Sequence, residues 1–276
     1  MANRGNGKVR GTGTGILRGV RYSARVSGAY YAELKKIVEY VNSLFMRTIF
    51  AGLDTKQMAG KIRVQDESPN ERYKKRLAAF TKILKGKVSK AFIEKIARQS
   101  LTRADKYCER DFKRHLQASA KSFGIDLDKL GLWKKYSSYM ATAVEENVSL
   151  VQDLADEQAR RLQSIVLRSV REGLPVSRTR GEIEHALGVG KRRAATIART
   201  ETHKLTQQLA DRRAEELGIT RGVWRAVMDN RTSAQHARFN GKEFDLAKGL
   251  YDPLEKSYNW PGRRVNCRCW TEYVIK

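Results

Sequence analysis

The residues with the most chemistry to offer lie near the C-terminal end, where Cys267 and Cys269 flank Arg268, with His236 and Asp229 upstream. Thiolate and imidazole are the ligands zinc prefers, and a closed structural site takes four protein donors. Only His236, Cys267 and Cys269 are evident. On a strand, C-x-C spacing puts both sulfurs on one face, near enough to share a metal and awkward for a mutual disulfide. Two main readings stay open, a zinc site and a buried thiol pair hydrogen-bonded to the imidazole, with redox chemistry a third. No cofactor is assigned.

A second constellation is Arg199, Thr200, Glu201 and Thr202 in the middle of a helical pattern, where two threonines are poor helix formers. Something outside the helix must hold them. Asp229, Arg231 and Thr232 carry complementary groups beyond the next strand pattern, so a buried polar network joining helix to sheet is expected. Ordinary surface ion pairing stays open, as does a catalytic Glu201 with a positioning arginine.

The third feature is charge. Lys and Arg total 55 against 30 Asp and Glu, a formal net charge of +25. Between 72 and 98 the sequence carries Arg72, Lys74, Lys75, Arg76, Lys82, Lys85, Lys87, Lys90, Lys95 and Arg98 against the single acid Glu94. Such a face suits a polyanion, and a nucleic-acid backbone is the expected partner, bound without sequence reading because no recognition motif accompanies the charge. Arg72, Lys74, Lys75, Arg76, Lys82, Lys85, Lys87 and Lys90 are the candidate contacts; a solvated helix face is the alternative. No Walker A segment, dinucleotide glycine fingerprint, H-E-x-x-H or G-x-S-x-G is present. No apolar run approaches the roughly 20 residues a membrane span needs, and the first 25 residues have no apolar signal core, so cytosolic synthesis is expected. Three cysteines do not make a disulfide framework.

The elements that must position these groups read as helices first. Residues 1–27 form a basic, glycine-rich stretch expected to be a flexible arm. Tyr30, Leu34, Ile37, Val38, Val41, Leu44, Phe45 and Ile49 then recur at helical spacing until Gly52. Ser68 and Glu71 form a capping box around Pro69, opening a helix with Tyr73, Leu77, Phe80 and Leu84 on one face. A third helix carries Phe92, Ile93, Ile96, Leu101, Ala104, Tyr107, Cys108, Phe112 and Leu116, with Cys108 a small core hydrophobe. A fourth spans 133–171. Thr179 and Glu182 suggest a capping box for a short helix ending near Gly188, before a long helix from Lys191 to Leu217, stopped by Gly218.

Beyond Gly218 the texture becomes β: Val223, Trp224, Ala226 and Val227, then Asn240-Gly241 between Phe239 and Phe244 as a hairpin signal, then an alternating run from Val265 to Ile275. The expected fold class is α+β, with a mainly helical N-terminal two thirds and a C-terminal module of long helix plus small antiparallel sheet. The expected domains are 1–27, an arm; 28–175, helical; and 176–276, α+β.

In order, Ile197-Ala-Arg-Thr-Glu-Thr202, Gly218-Ile, Trp224, Asp229-x-Arg231-Thr232, His236, Asn240-Gly241, Pro261-Gly262 and Asn266-Cys-Arg-Cys269 resemble the Mu F-like head morphogenesis domain of tailed phages, over residues 177 to the end. One departure is Arg263 and Arg264, where many relatives place a His or other polar residues. The resemblance implies a non-enzymatic minor head protein of the virion, acting near the portal vertex inside the head, with the host cytoplasm as its place of assembly. It implies portal or major capsid protein and packaged double-stranded DNA as partners, with no membrane and no small-molecule substrate expected. Two alternatives stand beside it: a transferase of ADP-ribosyltransferase type using Glu201 or Asp229, for which little room is expected because the sequence stops soon after Cys269, and a host-side non-specific DNA-binding protein.

Overall fold

The computed structural model describes residues 15–49, 69–123, 136–172, 174 and 176–275. The element order is β1 (Gly15–Leu17), α1 (Ala24–Ile49), α2 (Pro69–Lys87), α3 (Lys90–Phe123), α4 (Ser137–Glu172), α5 (Val176–Glu216), β2 (Arg221–Arg225), α6 (Ala234–Phe239), β3 (Glu243–Asp245), β4 (Leu250–Asp252), β5 (Ser257–Asn259) and β6 (Trp270–Ile275). This is the expected α+β class. No helix among the described residues is long and apolar enough to cross a membrane.

The chain forms two compact units: one is Met1–Ser27, Gln99–Ala143 and Arg199–Lys276, the other Gly28–Arg98 and Val144–Ala198. The dividing points fall inside α1, α3, α4 and α5 instead of at one linker near residue 175. Segments 28–175 and 176–276 do not coincide with these units, since α1, α3, α4 and α5 each contribute residues to both.

The all-helical unit is built by periodicity. The α1 stripe from Tyr30 to Ile49 is buried at every expected position, as are Phe80 and Leu84 of α2, and Phe45 meets Phe80 edge-on at 5.2 Å. Ser89 caps α3, its Oγ accepting from the backbone N–H of Phe92; that places Phe92 on the outside, 44% exposed, and off the stripe on which spacing put it. Thr179 is fully buried inside α5 and does not open a helix of its own. The expected break near Gly188 is absent too, since α5 runs unbroken through Gly188 and Gly190. A Cβ on Gly190 would lie 2.8 Å from Val38 Cγ1 and 2.6 Å from Gln158 Oε1, so close helix packing accounts for this glycine.

The second unit holds a four-stranded sheet in the order β1-β6-β2-β3, antiparallel throughout, and a separate β4-β5 hairpin. Leu17 pairs with Tyr273, and Tyr273 with Gly222. Part of the expected arm is thus a strand: Leu17 and Val20 are completely buried, and α1 begins at Ala24. Residues 1–14 and the Ser68 cap lie outside the described residues. A Cβ on Gly19 would meet Thr271 O at 1.7 Å, so only glycine lets this segment approach β6. Asn240-Gly241 is not a hairpin turn; Asn240 caps the C-terminus of α6, and Gly241, at φ +81°, leads into β3. A Schellman-type end with Gly218 at φ +79° and Ile219 N–H donating to Ala214 O stops α5 as expected.

Helix α5 meets this sheet through buried polar groups. Gln207 donates to Val20 O (2.7 Å) and accepts from Thr271 N–H (3.2 Å), filling both sides of its amide. Asp211 accepts from Tyr273 Oη (3.1 Å) and Arg263 Nη2 (3.3 Å). Arg213 reaches Asp105 at 2.7 Å and Cys108 Sγ at 3.1 Å, while the Cys108 thiol donates to Thr206 O. Cys108 is fully buried, as expected, and burial pushes its thiol up to about 12.

Gly19→Ala forces the segment off β6 and is expected to destabilise the protein by roughly 2–4 kcal/mol; urea unfolding measures it, and an unchanged midpoint contradicts the contact. Burial pushes the Asp211 carboxyl up to about 6, against the pull of Arg263 and Tyr273. An acid with a raised folded pKa holds its proton more tightly when folded, so its contribution is present below about pH 4 and is lost as pH rises through about 6. Between those values wild type should lose roughly 3 kcal/mol relative to Asp211→Asn, read as a difference between the two unfolding curves.

A candidate site around the Cys-x-Cys loop

Residues 261–269 form a loop ahead of β6, and Cys267 and Cys269 lie in that loop instead of on the strand. Left-handed backbone bends it twice, at Gly262 (φ +74°) and Asn266 (φ +58°). Gly262 has no substitute, since a Cβ there would sit 2.4 Å from Gln207 Cγ. Asparagine tolerates the left-handed region better than most residues, and Asn266 is held there from α5: its N–H donates to Thr200 Oγ1 (3.1 Å), and Arg199 Nη2 and Nε donate to its Oδ1 at 2.8 and 3.2 Å.

The other side of the loop is held by Asp229. Arg268 grips it with both terminal nitrogens, Nη1 on Oδ2 at 2.6 Å and Nη2 on Oδ1. The backbone N–H of Arg231 adds 3.1 Å to Oδ1, Arg231 Nη2 adds 3.2 Å to Oδ2, and the Thr232 hydroxyl closes the turn. Arg268 first, and then Arg231, hold this carboxyl well below the usual carboxylate range. Of the residues anticipated as one network, Arg199 and Thr200 form one half and Asp229, Arg231 and Thr232 a second. They meet at alternate loop residues, Asn266 for the helix half and Arg268 for the Asp229 half. Glu201 is buried on α5 with Lys204 at 3.6 Å.

The Cys-x-Cys sulfurs converge on one imidazole. Ser233 caps α6 by accepting from the His236 N–H, and the ring lies beside Trp224, centroids 5.6 Å apart. His236 Nδ1 is 3.6 Å from Cys267 Sγ and 3.5 Å from Cys269 Sγ. Both cysteines are buried, and Gly262 N–H donates to Cys267 Sγ at 3.3 Å. The hydrogen bond from Cys269, helped by His236, pulls the Cys267 thiol down, while pairing with that sulfur and burial push Cys269 up. A pocket of about 150 Å³ opens onto these groups, lined also by Arg231, Thr232, Asn266 and Arg268.

Three participants were not singled out from sequence: His203, Gln207 and Asp211. Buried His203 donates from Nε2 to Cys269 O at 2.8 Å, and burial lowers its pKa, so the ring is neutral at neutral pH. With Thr200, these residues recur at helical spacing on one face of α5. That polar stripe is the signal that could have found them.

The basic candidates lie elsewhere, in the helical unit. Lys74, Lys75, Lys82, Lys85, Lys87 and Lys90 are exposed on α2 and its junction with α3. Arg76 is engaged locally, donating to Ile49 O at 2.7 Å at the end of α1. Glu94 pairs with Arg98, and no acidic partner is found for Lys82, Lys85, Lys87 or Lys90 among the described residues. The Arg72 side chain lies outside the described residues.

Comparison with known proteins covers the loop and the helix that holds it. A Haemophilus influenzae protein, described only as uncharacterized, is 28% identical over 123 residues, 45% of this chain and 26% of that protein. The chain thus spans about a quarter of that relative's length. No solved structure matches. Residues 160–272, which hold all of α5, the Asp229 turn and the whole Cys-x-Cys loop, match the family described as Phage Mu protein F like protein, so the resemblance carried by these motifs is a family match over this segment.

Proposed function

We propose that this chain is a non-enzymatic minor head protein of a tailed phage, acting in head morphogenesis near the portal vertex and touching packaged DNA through its basic helices. The observation that carries the reading is the family match over residues 160–272, whose motif residues hold one loop in place. Arg199, Thr200, Asp229 and Arg231 spend their polar groups on Asn266 and Arg268 or on their own turn. This is the economy of a scaffold. Portal or major capsid protein is the expected docking partner, with the DNA-filled head as the final location.

The charge supports the DNA part. Lys82, Lys85, Lys87 and Lys90 project from one short stretch, and a net charge of +25 inside a polyanion-filled shell gains from counterion release.

Two measurements check this. Quantitative mass spectrometry of purified DNA-filled particles should find a few copies for each portal; absence from the particles contradicts a virion role. For the isolated chain, binding to duplex DNA should show little sequence preference and a log–log salt slope of about −4 or steeper. Replacing Lys82, Lys85, Lys87 and Lys90 with alanine should lower that slope by about 1 for each lysine that touches phosphate. Salt-insensitive binding rules out the phosphate contacts.

A further inference from the structure

We infer that His236, Cys267 and Cys269 form a zinc site in which three protein ligands are completed by one solvent oxygen. The reading is independent of the phage role and rests on geometry. In tetrahedral zinc coordination, Zn–N bonds of about 2.0–2.1 Å and Zn–S bonds of about 2.3 Å place nitrogen and sulfur about 3.5–3.6 Å apart. The His236 Nδ1 distances to the two sulfurs are 3.5 and 3.6 Å. All three donor atoms lie within 4.8 Å of one another. A single N–H on Nδ1 points along one line and satisfies one sulfur well, whereas a cation between the three atoms satisfies both sulfurs equally.

The surroundings have the form of a ligand shell. The Gly262 N–H donated to Cys267 Sγ is the kind of outer hydrogen bond that stabilises a metal thiolate. Cys269 is fixed through its carbonyl by His203 and through its neighbour Arg268 by Asp229. Asn266, locked left-handed by Arg199 and Thr200, turns the chain so that Cys267 and Cys269 face His236. Among the described residues the donor cluster numbers three. The same three side chains line the pocket of about 150 Å³, which has room for a water at the fourth position. Zinc there ties α6 to the loop entering β6, a cross-link that replaces the disulfide this reduced chain lacks.

The test is metal analysis of the full chain purified from zinc-replete cells and stripped of loosely bound ions by gel filtration. About one zinc per chain is expected, with X-ray absorption reporting two sulfur and two nitrogen or oxygen neighbours. Cys269→Ser and His236→Gln should each weaken zinc retention by at least about 10-fold, while Cys108→Ala should keep it. Should the ligand variants not fold, wild type still decides: a chelator should expose two reactive thiols that added zinc protects again, and Co²⁺ in place of zinc should show thiolate-to-metal charge-transfer absorption. A wild-type chain free of zinc, one with Cys267 and Cys269 joined as a disulfide, or ligand variants retaining zinc as wild type does would each overturn the assignment.

Discussion

The C-terminal unit depends on one constraint: the polar face of α5 from Thr200 to Arg213 is buried, and every group on it needs a partner. A buried donor or acceptor left unmade costs about 1–3 kcal/mol, more than the net gain of a typical hydrogen bond. The partners come from distant segments: Val20 and Thr271 for Gln207, Tyr273 and Arg263 for Asp211, Cys269 O for His203, and Asn266 for Thr200. The helix therefore acts as a template. A one-residue slip of β6 would strip the partners of Gln207 and Asp211 together and turn Tyr273 to the wrong face.

Local pattern made the helices legible. Apolar spacing marks positions that are buried throughout α1 and for the most part in α3 and α4, Cys108 among them, with Phe92 exposed. Pattern reading also locates the long helix stopped by Gly218, the strand around Trp224 and the antiparallel module. Its failures share a cause, which is that long-range packing leaves no local trace. Gly15–Leu17 is a strand because β6 offers an edge more than 250 residues away, and composition there speaks only of glycine and arginine. Gly190 looks like a helix breaker until Val38 and Gln158 are seen against it.

At the candidate site, the residue types were readable and their partners were not. His236, Cys267 and Cys269 do converge, but on a loop whose shape comes from Gly262 and Asn266. Arg199 and Asp229 do belong to polar networks, each through a different loop residue. The three buried α5 residues His203, Gln207 and Asp211 leave no apolar periodicity, because theirs is a polar stripe with the same helical period. Within the segment matching the phage Mu protein F like family, these residues account for the motifs as architecture: threonine in mid-helix accepts from Asn266, and arginine between two cysteines anchors to Asp229.

Helix α5 holds the Cys-x-Cys loop and β6 through its buried polar side chains. Amide hydrogen exchange of the full chain, wild type against Gln207→Leu, addresses it most directly, because leucine keeps much of the volume and removes both hydrogen bonds. Exchange should be faster at Thr271 and across residues 262–269 in the variant, with the helical unit of Gly28–Arg98 and Val144–Ala198 unchanged. Equal protection of Thr271 in both proteins would contradict it.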